Sequence, residues 1–172
     1  SISVTVPAGR SVGPKTMIVR NPNNQKATLT FTYTAFAFTY TGATQSFEVP
    51  AGVPSLALRV WGAAGGAGNG ASVVGGAGGY ATGSLPVMPG QTLTIVVGQG
   101  GAQVAMPSKA GAGGGYSGVF IGAVSQANAK LIAGGGGGGG FFTDGQGGSS
   151  GGNGGGDFAG DGAGSGSTSY AA

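Results

Sequence analysis

The pattern closest to a catalytic motif is a G-x-S-x-G match at Gly147–Gly151, with Ser149 in the nucleophile position. A serine hydrolase needs a histidine to take the proton from that hydroxyl, and the chain contains no histidine. In a segment this rich in glycine, the match is expected by chance. We therefore predict that the protein is not an enzyme and has no catalytic residue.

A second pattern could hold a nucleotide cofactor. Gly98-Gln-Gly100 follows a predicted strand, as a dinucleotide-binding loop would, but Gln103 occupies the third glycine position. No helix signal follows it, although the phosphate of a dinucleotide sits at a helix N-terminus. The chain also lacks a Gly-Lys-Ser/Thr phosphate loop. The loop is better explained as the exit from a strand into a glycine tract, and we predict no cofactor.

The acidic residues Asp144, Asp157 and Asp161 lie in glycine loops, where carboxylates can bind calcium. However, the repeat G-G-x-G-x-D fails at Asn153, and one imperfect copy cannot form a stacked calcium roll. Cysteine and histidine are absent, which removes disulfides and nearly all transition-metal sites. The acids are predicted to be solvated, with no bound metal.

The charge content of the chain is unusually low. Charged residues make up 6% of the sequence, against about 25% in ordinary globular domains. The hydrophobic fraction of 40% and the net charge of +3 argue against disorder throughout. Because a soluble monomer normally keeps charge on its surface, we expect much of this surface to be covered by copies of the chain. We therefore predict that the chain binds other copies of itself.

The sequence predicts neither nucleic-acid binding nor a membrane-spanning helix. The seven Lys and Arg residues are spread singly, whereas nucleic-acid binding needs basic groups clustered on one face. No apolar run approaches the roughly 20 residues of a membrane helix. The chain begins at Ser1 without a methionine or a signal-peptide pattern, so we expect a processed chain or a fragment.

The elements that would position any site fall into two parts of different composition. Only four of the 43 glycines precede Gly62. Thr16–Arg20 and Lys26–Thr34 alternate in hydrophobicity around Asn-Pro-Asn-Asn, which predicts a hairpin. The aromatic residues then change phase near Thr34-Ala35, which indicates a bulge or a module boundary. We predict a small β arm or accessory module at 1–34 and a main domain at 35–172.

The main domain is predicted to be all-β, with strands separated by long glycine tracts. Leu56 to Trp61 alternate, and Tyr80–Val87 and Gln91–Val97 flank a Pro-Gly turn as a second hairpin would. Two short apolar strands are predicted at Gly118–Gly122 and Lys130–Ala133. The tracts that connect these strands cover 62–79, 98–115 and 134–169.

Seven consecutive glycines at 134–140 are bounded by apolar residues on both sides. A flexible linker is the simplest explanation, because ordering glycine costs more backbone entropy than ordering any other residue. Flexible linkers, however, usually contain serine and lie between modules. Threefold extended helices have no internal hydrogen bonds, so their N–H and C=O groups are free to bond sideways. We predict ordered glycine helices for 62–145, and leave 145–172 open.

Four stretches resemble a known family in order and spacing: FEVPAGV (47–53), GGYATGSLPVMPGQTLTIVVG (78–98), GGGYSGV (113–119) and LIA (131–133) before seven glycines. Over roughly 38–164, the chain resembles the glycine-rich domain of bacterial and phage surface proteins. It is also similar to the extracellular glycine-rich region of the anaplastic lymphoma kinase and leukocyte tyrosine kinase receptors. The resemblance implies a jelly-roll-like β-sandwich interleaved with polyglycine II helices, and a role in adhesion, ligand recognition or structure.

We therefore hypothesise a structural, self-assembling protein of an extracellular, cell or virion surface, plausibly a filament subunit. The N-terminal strand would add to a neighbour's sheet edge, with Ile2, Val4 and Val6 filling pockets. The alternative is an adhesin or receptor-binding tip that recognises a glycan or another cell-surface ligand. Aromatic residues that border the glycine tracts are predicted to anchor them: Trp61, Tyr80, Tyr116, Phe141 and Phe142.

Overall fold

The computed structural model describes residues 13–68, 73–103, 110–140 and 150–155. These residues form an all-β structure whose only helical element is a 3₁₀ turn at Gln126–Asn128. The strands are β1 (Gly13–Arg20), β2 (Lys26–Tyr33), β3 (Gln45–Glu48), β4 (Ser55–Trp61), β5 (Tyr80–Pro86), β6 (Thr92–Val96), β7 (Ser117–Ile121) and β8 (Ala129–Ala133). The chain divides into two compact units, Ser1–Phe38 and Thr39–Ala172.

The first unit contains the predicted hairpin. Strands β1 and β2 pair antiparallel from Arg20↔Lys26 to Gly13↔Tyr33. The turn between them is closed by the Asn21 side chain, whose Oδ1 accepts a hydrogen bond of 2.8 Å from the Gln25 N–H. The hairpin prediction is confirmed, and β1 begins earlier than Thr16.

The second unit is built on an antiparallel sheet of four strands in the order β3-β6-β7-β8. The register shifts between Val119 and Phe120, whose partners are Leu131 and Ala129, so Lys130 is an extra residue in β8. Successive side chains of a strand point to opposite faces, and this sheet is buried on both: Leu93 lies on one face, whereas Phe120, the cross-strand partner of Thr94, lies on the other. The largest fully buried side chains of the unit are those of Phe120, Leu93 and Val49.

A two-stranded antiparallel sheet, β4-β5, lies against the larger sheet through contacts of β4 with β7 and of both strands with β8. The predicted hairpin of Tyr80–Val87 with Gln91–Val97 is therefore wrong: β5 pairs with β4, and β6 pairs with β3 and β7. The Pro-Gly turn reverses the chain, but the Gly90 N–H donates to the Val49 carbonyl at 2.8 Å. The turn thus carries the chain from one sheet to the other instead of pairing its flanks.

The structure places glycine-rich segments between these strands. They connect β4 to β5, β6 to β7, and continue after β8. Within the described residues, no helix is long and apolar enough to span a membrane. The candidate functional site lies where these glycine-rich segments meet.

Candidate functional site

Six glycine-rich segments lie side by side and form what we call the glycine array: 62–68, 73–79, 98–103, 110–116, 134–140 and 150–155. Burial repeats every third residue in two segments of the array. The buried residues are Val73, Gly76 and Gly79 in one, and Gly136 and Gly139 in the other, where they continue from the buried Ala133 at the end of β8. A β-strand would alternate every second residue, so the backbone of these segments has a threefold repeat.

The central segment of the array is 134–140, which hydrogen bonds to four neighbours: 62–68, 73–79, 110–116 and 150–155. Its N–H groups donate to two of them, through Gly136 to Ala63 (2.9 Å), Gly139 to Gly66 (2.9 Å) and Gly137 to Gly152 (2.8 Å). Its carbonyls accept from the other two, from Gly76 and Gly79 and from Gly111 and Gly114, all at 2.8 Å. Lateral partners thus satisfy the N–H groups of Gly136, Gly137 and Gly139 and the carbonyls of Gly134, Gly136, Gly137 and Gly139.

The direction of each neighbour follows from the numbering of these bonds. The acceptor moves from Ala63 to Gly66 when the donor moves from Gly136 to Gly139, so 62–68 runs parallel to the central segment. The 73–79 segment runs antiparallel to it. The adjacent N–H groups of Gly136 and Gly137 bond to different neighbours. In a flat sheet each strand bonds only to the strands on its two sides. The central segment bonds to four neighbours, so the array extends in two dimensions.

Glycine is required in the array by close approach and not by backbone conformation. The described glycines with positive φ all lie outside the array: Gly13, Gly42, Gly52, Gly90 and Gly122. A Cβ built on Gly138 would overlap the Gly111 carbonyl, and one on Gly136 would overlap the Gly76 carbonyl. By contrast, a Cβ on Gly100 would meet nothing within 4 Å.

Side chains reinforce the edges of the array at positions that the sequence analysis did not identify. The buried Ser117 hydroxyl accepts a hydrogen bond from the Gly98 N–H at 2.9 Å. The Asn153 Oδ1 accepts one from the Ala77 N–H at 3.0 Å. The sequence does contain a signal for Asn153, because it is the one residue with an amide side chain in 151–156, where the other residues are glycines. The serine has no comparable signal because a hydroxyl at the start of a strand is common.

Of the predicted anchors, Trp61, Tyr80 and Tyr116 lie at junctions between strands and the array. The Trp61 and Tyr80 rings pack with centroids 5.2 Å apart and planes tilted by 40°. All three side chains are exposed, Trp61 by 61%. Phe141 and Phe142 lie outside the described residues, as do Ile2, Val4 and Val6. The anchoring role and the assembly role of these residues stay predictions.

The residues first considered for chemistry are mostly beyond the described ranges. Ser149 and the acids Asp144, Asp157 and Asp161 all lie outside them. Within those ranges, no group of three or more His, Cys, Asp or Glu residues could hold a metal ion. A recess of about 190 Å³ lies at the array edge, lined by Ala77, Gly78, Gly79, Tyr80, Asn153 and Gly154.

Comparison with known proteins gives one result. A family profile described as a glycine-rich domain matches residues 39–172. No curated protein matches the chain, and no solved structure matches it. The matched region includes all six segments of the glycine array and strands β3 to β8.

Proposed function

The chain belongs to the glycine-rich domain family, and we propose that it is a structural, self-assembling protein of an extracellular, cell or virion surface. In this proposal the protein is a β-sandwich joined to a bundle of polyglycine II helices, and its role is mechanical and not catalytic. The observation that carries the proposal is the lateral hydrogen bonding of segment 134–140 to four neighbours.

The threefold repeat of the glycine array supports polyglycine II helices. Such a helix has about three residues per turn and no internal hydrogen bonds. Its groups must therefore bond to neighbouring chains, as the N–H groups of Gly136, Gly137 and Gly139 do. The packing of sheet β4-β5 against β7 and β8 supports the β-sandwich, since sandwiches bury one face of each sheet.

A bundle of this kind suits a surface scaffold. Its cohesion comes from backbone hydrogen bonds, and a Cβ at most of its glycines would overlap a neighbouring backbone. It needs neither charge nor disulfides, which agrees with a chain that has 6% charged residues and no cysteine. The resemblance to bacterial and phage surface proteins and to the two receptor kinases belongs to this proposal. This resemblance supports a location outside the cell.

The hairpin β1-β2 supports assembly. A two-stranded sheet is at best marginally stable alone in water. Among the described residues both strands of this sheet are edges, and an edge can accept another strand. This hairpin also exposes Leu29 by 60%, on the face that it shares with Met17. A strand from a neighbouring copy, carrying Ile2, Val4 and Val6, would pair with an edge and cover apolar surface. If that head-to-tail contact does not close into a ring, it produces a filament.

The test of assembly is electron microscopy and sedimentation velocity of the purified full chain. We expect filaments with a regular subunit repeat. Leu29→Lys places a charge on the apolar face and is expected to shift the chain to small species. Its control is Thr30→Lys, which adds the same charge at an exposed position on the opposite face.

Deletion of residues 1–34 supplies the second arm of the test. The remaining chain retains the whole of the Thr39–Ala172 unit. We expect it to remain folded, with the circular dichroism of strands β3 to β8, and to sediment as a monomer. If the truncated chain polymerises like the full chain, the N-terminal strand is not the connector and the assembly proposal is wrong in this part.

A further inference from the structure

The outward face of sheet β4-β5 carries a set of exposed side chains that the structural role does not use. Cross-strand partners share a face of a sheet, and the exposed partners here are Trp61↔Tyr80, Arg59↔Thr82 and Ala57↔Ser84. The alternate residues Val60 and Ala81 are buried on the other face. We call the first two pairs, with their small neighbours, the aromatic face.

Exposed aromatic rings dominate one end of this face. Trp61 is 61% exposed and Tyr80 is 38% exposed, although both are large apolar groups whose burial would stabilise the fold. Their rings pack against each other, with centroids 5.2 Å apart. Mutual packing limits the freedom of both side chains, so a flat ligand would meet surfaces that are already ordered.

A positive charge lies next to the rings. Arg59 is exposed and precedes Trp61 by two residues on the same strand face, which places their Cα atoms about 7 Å apart. Opposite Arg59, the Thr82 hydroxyl donates to the Leu58 carbonyl at 2.9 Å. Its oxygen therefore stays available as an acceptor. Beyond this pair, Ala57 and Ser84 are small and leave the face open.

This combination fits one ligand chemistry. The C–H face of a pyranose ring packs on an aromatic ring, and a guanidinium binds a carboxylate through two parallel hydrogen bonds. A sugar stacked on Trp61 or Tyr80 would direct a ring carboxylate to Arg59 and a hydroxyl to Thr82, since these residues share one face of the sheet. The recess that Tyr80 shares with Asn153 and Gly154 gives room for a second sugar unit.

We propose that the aromatic face binds a carboxylated glycan, with Trp61 and Tyr80 as the stacking residues and Arg59 as the carboxylate ligand. The ligand chemistry is an acidic pyranose, which occurs as a uronic acid within a polysaccharide or as a sialic acid at the end of a chain. The site does not depend on filament formation, because all of its residues belong to one copy of the chain.

The test uses the fluorescence of Trp61, the only tryptophan of the chain. The full chain is titrated with trigalacturonic acid and with 3′-sialyllactose, and in parallel with the neutral sugars maltotriose and lactose. We expect a saturable change in emission with at least one acidic sugar, weakened by salt, and at least tenfold weaker binding of its neutral counterpart. The acidic sugar that binds more tightly identifies the source.

Variants separate the two contacts. Arg59→Gln is expected to lower affinity for the acidic sugar about tenfold, to the level of the neutral one, whereas Lys130→Gln removes an exposed charge on another strand and is expected to change nothing. Trp61→Ala is followed by saturation-transfer NMR, since it removes the fluorophore, and is expected to abolish binding. Tyr116→Ala is its control, as an exposed aromatic elsewhere.

Several outcomes would overturn the proposal. These are no response to any sugar, equal affinity for acidic and neutral sugars, or unchanged binding by Arg59→Gln. Concentration-dependent association of the full chain that is lost in Trp61→Ala would show that a second copy covers the face. Failure of filament formation would leave the glycan result unaffected, so the two proposals can fail separately.

Discussion

The most informative perturbation of the glycine array is Gly138→Ala. An added Cβ would overlap the Gly111 carbonyl oxygen and lie 2.5 Å from the Gly111 carbonyl carbon. Ordinary contact of a Cβ begins near 3.4 Å, so segment 110–116 would have to move by at least about 0.9 Å to clear the carbon and further to clear the oxygen, because repulsion rises steeply below contact distance. Both sides of the contact are backbone, and no side chain can rotate away.

The size of the effect follows from the bonds that such a movement breaks. Segment 110–116 donates to the central segment through Gly111 to Gly139 and Gly114 to Gly136, each at 2.8 Å. A lost hydrogen bond that leaves a buried group unpaired costs about 1–3 kcal/mol. Alanine also stiffens the unfolded chain, which restores about 0.4–1 kcal/mol. With both bonds lost and this gain returned, we expect Gly138→Ala to lower the free energy of unfolding by about 1–5 kcal/mol.

The matched control is Gly100→Ala. A Cβ there meets nothing within 4 Å, and Gly100 does not have positive φ. We expect this variant to be as stable as the parent chain or more stable by about 0.4–1 kcal/mol, through the unfolded state. The assay is urea denaturation followed by Trp61 emission and circular dichroism. If the two variants agree within about 0.5 kcal/mol, a difference expected of ordinary surface substitutions, the array does not impose the close approach described above.

Three further substitutions test other contacts by the same denaturation assay. Ser117→Ala should cost about 1–3 kcal/mol, because it leaves the Gly98 N–H without its partner; no change in midpoint would contradict this. Phe120→Ala should cost about 3–5 kcal/mol, since Phe120 is 2% exposed in the core, and a loss below 1 kcal/mol would count against that packing. Asn153→Ala removes the exposed acceptor of the Ala77 N–H and should cost about 0.5–1.5 kcal/mol, whereas a stabilised variant would show that this bond does not hold segment 150–155.

Local signals in the sequence were sufficient for some elements of the fold. The hairpin β1-β2 was predictable because Asn21 both reverses the chain and closes the turn with its own side chain. The partners of β5 and β6 were not predictable from the Pro-Gly turn, because pairing of β5 with β4 is decided by packing between residues far apart in sequence. A turn residue specifies a reversal of direction but not which strand lies alongside.

The arrangement of the glycine array was even less accessible from the sequence. Glycine carries no side chain, so nothing in 134–140 specifies that its parallel neighbour is 62–68. The available signal is the spacing of the few larger residues. Val74 and Ala77 stand three residues apart and are both exposed, which marks the outer edge of a threefold segment. The sequence identifies Trp61 and Tyr80 as aromatic residues that border the glycine tracts. The contact between their rings depends on the register of β4 with β5, which the sequence does not specify.

The most direct test of the central claim is amide hydrogen exchange, measured by NMR on the full chain. The account predicts that the amides of Gly136, Gly137 and Gly139, which donate to lateral partners, exchange as slowly as those of strands β6 and β7. A tether would leave these amides unprotected while the strands stayed protected. Exchange of the 134–140 amides at random-coil rates, in a chain with intact strands, would contradict the account.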